Sequence, residues 1–258
     1  MINMERTDTT PTPVAMIRRI DHREAMQIAT EENRRFADQL AGFTADDWSK
    51  PTDCPLWNVR AVAAHVIGSA ASQASPREFV RQVRGGRPLR VEIGSPFWWD
   101  GMNEVQVRER ADRSTDELRA EWDAQSRRAV RARSRLPRVI ARLPLLNLPE
   151  PVGRQPVGYL FDMGFTRDVW MHRIDLARAT DGKLDIDATH DGRIVADIVA
   201  EWAIRHGEPC TLDLSGSAGG RYVAGTGGEH VAMDAIEFCR ILSGRGDGDG
   251  ILRHKLPL

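Results

Sequence analysis

The run Val59-Arg60-Ala61-Val62-Ala63-Ala64-His65, continuing to about Ser75, most narrows what this chain can fold into. It is rich in Ala and Val and apolar on nearly every side, the pattern of a helix buried by its neighbours rather than resting on a surface. Asn58, immediately before it, is a suitable N-cap. His65 sits in the middle of the run. A histidine in such a place is either a hydrogen-bonded core residue or a potential metal ligand.

A second segment, Asp168-Val169-Trp170-Met171-His172, bears on that choice. Asp168 and His172 are four residues apart, so on a helix they stack one turn above the other. Packed beside the first helix, they would bring His, Asp and His to one point. Three such ligands with a fourth position open is the arrangement of a catalytic divalent metal. The alternative is that Asp168 pairs with Arg167 or Arg173 at the surface. Asp175 shares the same helical face. It is either an acceptor that orients an imidazole or one half of a surface salt bridge.

The rest of the chain reads as mostly helical. A 258-residue chain can bury a sizeable core in one large or two modest domains. An amphipathic helix is expected from about Arg19 to Leu40, and a Gly/Pro-rich loop from Gly85 to Pro96. The aromatic cluster Phe97-Trp98-Trp99 ends that loop, to line a pocket or plug the bundle. Met102 to Leu136 has a helical pattern restarted by the capping box Ser114/Glu117. A proline-punctuated loop, Pro137 to Pro156, leads into a helix from Val157 to Ala179, and another spans Asp187 to Arg205.

After Gly207-Glu208-Pro209 the texture changes. Thr211–Leu214 and Arg221–Ala224 read as a hairpin, Met233–Leu242 as a helix, and Ile251–Lys255 as a closing strand. The expected organisation is a disordered tail over 1–14, a helical bundle over 15–205 and a small α/β unit over 207–258.

Two stretches carry a family resemblance. Trp48 to Arg60, running on to His65, and Thr166 to Ala177 resemble the two signatures of the DinB-like, mycothiol-dependent maleylpyruvate isomerase family. The resemblance implies an α+β, mainly α architecture: a DinB-like four-helix bundle followed by a small α/β domain. It implies a divalent metal, typically zinc, held by His65, Asp168 and His172. The family pattern carries Glu where this chain has Asp168, whose side chain is one methylene shorter and reaches less far. The implied cofactor is mycothiol, a small cysteine-containing thiol of actinobacteria. The implied substrate is a small electrophile or dicarboxylate.

In the chemistry so implied, a thiolate adds to a cis carbon–carbon double bond. Rotation about the resulting single bond and loss of the thiol give the trans product. The same thiolate can instead stay attached to an electrophile as an S-transfer product. Arg245, in Leu242-Ser243-Gly244-Arg245, resembles a recurrent Ser-Gly-Arg ending in the family. It is the candidate carboxylate clamp, or a structural arginine closing the domain. A non-catalytic metal- or ligand-binding module is the rival reading.

Other signals are weaker. Thirty-six basic and 37 acidic side chains leave a net charge of -1, so no global field argues for nucleic-acid or membrane partners. Cys54, Cys210 and Cys239 are far apart, which fits a reducing cytoplasm. No apolar run approaches the ~18 residues of a membrane span. The arginines from Arg127 to Arg142 form a stripe best read as a solvated helix face. The glycine clusters near 225–228 and 244–250 have neither dinucleotide nor calcium-loop spacing.

Overall fold

The computed structural model describes residues 10–148 and 152–257. They divide into two compact units. One is built from Asp21–Leu145 and Pro156–Leu184; the other gathers the residues up to Ile20, Leu146–Gln155 and the chain from Asp185 onward.

The first unit is helical: α1 (His22–Gly42), α2 (Val59–Ala74), α3 (Pro76–Glu92), α4 (Trp98–Arg108), α5 (Thr115–Ser134) and α6 (Phe165–Thr180). Side-chain caps define the starts. Asp21 accepts from Glu24 N–H, Asn58 from Ala61 N–H, and Ser75 from Glu78 N–H, with Pro76 in the first turn of α3. Ser114 and Glu117 form the reciprocal capping box expected for α5. α6 ends where Asp181 turns left-handed at φ 50°.

Helices α1, α5, α2 and α6 pack in a closed ring, each against the next, which makes the four-helix bundle. The hairpin of α3 and α4 covers a further side of α2. Enclosure by four neighbours is why α2 has no polar face; thirteen of its sixteen residues are buried. The core includes Phe36, Leu40, Val62, Ile67, Leu118 and Leu176 around Trp122. The Trp122 ring meets Phe36 edge-on at 4.7 Å, and its Nε1 donates to Asn33 O at 3.1 Å.

Two expectations for this unit change, and a third holds at all but one residue. The Gly85–Pro96 loop is instead mostly helix, since α3 continues through Gly85, Gly86 and Pro88 to Glu92. The glycines are there because α3 and α4 touch backbone to backbone: a Cβ on Gly86 or Gly101 would run into the other's main chain. Phe97 and Trp98 do not plug the bundle but lie exposed around the start of α4, Phe97 stacked on Trp99 at 4.7 Å. The arginine stripe is exposed at positions 127, 128, 131, 135, 138 and 142, whereas Arg133 is buried.

Arg133 braces α6. The helix opens with a π-helical segment, Leu160–Gly164. Arg133 Nε donates to Phe161 O at 2.7 Å, and Nη2 to Asp162 O and Thr166 Oγ1 at 3.0 and 2.8 Å. Burial pushes this guanidinium down to about 10.

The second unit is a mixed sheet with helices. Its elements are β1 (Thr12–Pro13), α7 (Asp191–His206), β2 (Cys210–Ser215), β3 (Gly220–Ala224), β4 (Glu229–Asp234) and α8 (Ala235–Leu242), with strand order β1-β3-β2-β4. The expected hairpin is β2–β3, with Leu212 opposite Tyr222. β4 runs parallel to β2, Leu212 opposite Val231.

Here too the reading is corrected. Thr12 and Pro13, expected in a disordered tail, pair in parallel with Tyr222 and Val223; positions 1–9 of that tail lie outside the described residues. So do Pro149 and Pro151 of the proline-punctuated loop. Met233 lies in strand β4 rather than opening a helix, and Gly250–Arg253 is a 3-10 turn in place of the closing strand. Helix α7, expected in the bundle, belongs to this unit, where Trp202 packs on Phe238 at 5.3 Å.

The helical unit should lose stability in acid. Hydrogen bonds from Arg81 and Gln82 hold the Glu78 carboxyl down at about 2, and bonds from Arg34 and Arg35 hold Glu31 at about 2. A carboxyl whose pKa is lowered by folding stabilises above its unfolded value and loses that contribution as pH falls through the folded one. The urea midpoint is therefore expected to hold near neutrality and to decline between about pH 4.5 and 2. Glu78→Gln should flatten part of that decline.

Candidate metal centre

His65 from α2 and Asp168 and His172 from α6 converge, with their ligand atoms all within 4.8 Å of one another. Asp168 Oδ2 lies 3.6 Å from His65 Nε2, and Oδ1 lies 3.6 Å from His172 Nε2. Both imidazoles are 5% exposed. The Asp168 side chain is 29% exposed, so the cluster meets solvent on the carboxylate side.

The outer nitrogens decide what the inner ones can do. His172 Nδ1 is 3.0 Å from Oδ2 of the fully buried Asp175. A carboxylate accepts, so the proton sits on Nδ1 and Nε2 is left with a lone pair. His65 Nδ1 donates to Gln106 Oε1 at 2.8 Å, which leaves Nε2 of that ring a lone pair too. In the neutral form of both rings, two lone pairs and a carboxylate therefore face one another. Their 3.6 Å spacings are too long for hydrogen bonds. With all three ligand atoms within 4.8 Å of one another, they are close enough to converge on one divalent ion. The donor types are those a divalent cation accepts, and the shorter Asp168 still brings an oxygen to 3.6 Å from each imidazole Nε2.

Surrounding residues fix this geometry. The Trp57 ring lies 5.0 Å from the His65 ring and 6.5 Å from that of His172, walling one side. Cys54 Sγ is 3.7 Å from Asp175 Oδ2. Cys54, Asp175 and His172 also cluster within 4.8 Å, but the 3.0 Å contact inside that group is a hydrogen bond, so it supports the ring rather than forming a second centre. Arg173, one residue beyond His172, donates from Nε to buried Glu32 on α1 at 2.7 Å. Of the two readings of Asp175, the structure shows the ring-orienting acceptor.

Arg245 lies in the other unit, just after α8, where its N–H donates to Arg240 O at 2.9 Å. Gln106, Gln82 and Glu32 escaped the sequence reading, and Arg133 was read there as part of a solvated face. Glutamine carries no titratable signal, and the buried ion pair joins positions far apart in the chain. Ser75-Pro76 followed by Glu78 was a legible start for the helix that carries Gln82.

Residues 29–177 match the family described as the mycothiol maleylpyruvate isomerase N-terminal domain. The chain belongs to that family. The match takes in His65, Asp168, His172 and both glutamines. A crystal structure of the mycothiol-dependent maleylpyruvate isomerase aligns with a TM-score of 0.56 and 19% identity, covering 92% of this chain and 94% of that one. A second crystal structure, of a histidine-to-alanine mutant of such an enzyme, aligns with a TM-score of 0.56 and 18% identity over 91% and 92%. At these identities the likeness establishes the fold: mainly α, a DinB-like bundle with a small sheet. No curated protein sequence matches the chain. No helix among the described residues is long and apolar enough to cross a membrane.

Proposed function

We propose that this protein is a metal-dependent enzyme that uses a low-molecular-weight thiol, mycothiol, to isomerise a cis dicarboxylate of the maleylpyruvate type or to transfer the thiol to another small electrophile. The observation that carries the reading is the convergence of two imidazole nitrogens and one carboxylate within 4.8 Å of one another. His65, Asp168 and His172 would hold the cation, and the N/O ligand set suits zinc. A bound divalent cation favours the thiolate over the thiol form of an added thiol. Asp175 and Gln106 hold the two rings in the ligating tautomer, and Trp57 keeps water off one side. A dicarboxylate also needs a cationic partner, and Arg245 is proposed for it on its Ser-Gly-Arg segment. Arg245→Met should raise KM for a dicarboxylate with less change in kcat.

Metal content tests the reading first. Chelator-stripped protein titrated with zinc should take up one equivalent. Asp168→Glu should bind within about tenfold of wild type and Asp168→Ala more than about 100-fold more weakly, since even outer-shell changes cost 10–100-fold. Failure of the wild-type protein to take up stoichiometric zinc would end the metal reading.

A further inference from the structure

We propose that Gln106 and Gln82 form a directional amide relay that sets which nitrogen of His65 carries the proton, so that both are positioning residues for the metal centre. The proposal rests on the metal reading for its consequence, but the relay itself is a property of the protein alone.

The chain of bonds has one direction. Gln82 Nε2 lies 3.0 Å from Gly68 O and 2.9 Å from Glu78 Oε1. A carbonyl and a carboxylate only accept, so the amide nitrogen of Gln82 must face them and its oxygen must face the other way. That oxygen accepts from Gln106 Nε2 at 2.8 Å. The Gln106 oxygen is thereby turned toward His65 Nδ1, 2.8 Å away, and can only accept from it. His65 is then protonated on Nδ1, with its lone pair on Nε2 facing Asp168. The opposite tautomer would present an N–H to the cation position, where a ligand needs a lone pair. His172 obtains the same result from an ionic partner, Asp175. His65 obtains it from neutral amides, which can flip, so the direction must be pinned at the far end.

The helices are packed to permit this. Gln82 and Gln106 are both fully buried. Gly68, one turn beyond His65 on α2, both accepts from Gln82 and makes room for Gln106: a Cβ there would lie 2.5 Å from Gln106 Cβ and 2.6 Å from its Cγ. The Gly86–Gly101 contact brings α3 and α4 close enough for the two amides to meet. A buried glutamine pair without this anchoring has two amide orientations of similar energy; anchored, it has one.

The test reads the tautomer directly. Chelator-treated, ¹⁵N-histidine-labelled protein at about pH 8, where an ordinary imidazole is neutral, should show His65 protonated on Nδ1 in long-range ¹H–¹⁵N spectra. Gln106→Met should convert it to the Nε2–H form or a mixture and weaken zinc binding about 10–100-fold. Gln106→Glu keeps the acceptor for Nδ1 but loses the donor to Gln82 Oε1, so it should restore the Nδ1–H form with only part of the affinity. Gln82→Leu should give a mixture with a smaller loss.

A wild-type His65 protonated on Nε2 overturns the relay. So does a folded Gln106→Met protein with unchanged tautomer and affinity. Should Gln106→Met not fold, the wild-type spectrum and the contrast between Gln106→Glu and Gln82→Leu decide the matter. The expected tautomers without any zinc uptake would uphold the relay and sink the metal reading. Tight zinc binding indifferent to Gln106 would do the reverse.

Discussion

His172→Ala protein is expected to fold as wild type does and to bind zinc more than about 100-fold more weakly, with loss of any thiol-dependent turnover. His172 is 5% exposed at the surface of the centre, so truncating it removes a ligand without opening the bundle's tryptophan core. It also leaves Asp175 without the imidazole N–H 3.0 Å away, which is why a modest fall in stability, about 1–3 kcal/mol, should accompany the loss. His172→Asn separates the two effects, since its amide can still donate toward Asp175 while its reach to the cation is lost. Zinc titration against a chromophoric chelator and urea unfolding read the two effects independently. Wild-type zinc affinity in a folded His172→Ala protein would remove His172 from the ligand set.

The second large effect concerns stability. Glu32→Ala should destabilise the protein by about 3–5 kcal/mol, because it strips the carboxylate from a guanidinium whose side chain is 3% exposed. Glu32 and Arg173 tie α1 to α6 at the residue next to His172. Loosening that tie should also lower zinc affinity, by less than the loss of a ligand. Glu32→Gln keeps an acceptor and should cost less. A shift of the urea midpoint no larger than that of an exposed carboxylate control, such as Asp116→Ala, would show that the pair contributes little.

How much of this was legible in the sequence depended on whether the signal was local. Helix α2 was legible because burial on all sides leaves its trace in consecutive residues, and the Asn58 cap marks its start. The convergence of His65, Asp168 and His172 was legible because two of them share one helical turn and the third sits at a charge-free point of α2. Helix α3 was hidden by Gly85, Gly86 and Pro88, which usually break helices; the glycines answer to a contact with α4 that no local pattern records. Helix α7 has the period of a bundle helix, and its own residues do not say that its partner is a sheet. Strand β1 is two residues long and pairs with Tyr222 and Val223, far along the chain. β4 buries only Val231, so it lacked the alternation that marks a strand. At the site, Gln106 and Gln82 act through the direction of their amides, which depends on a carbonyl of another helix.

The most direct measurement is turnover of maleylpyruvate by the purified protein, supplied with zinc and mycothiol and assayed with and without a chelator. Turnover is expected only with both metal and thiol, abolished by chelation and restored by added zinc. A rate indifferent to chelation would contradict it. Stoichiometric zinc binding without turnover of maleylpyruvate or of a general thiol-reactive electrophile would mark the bundle as a binding module instead.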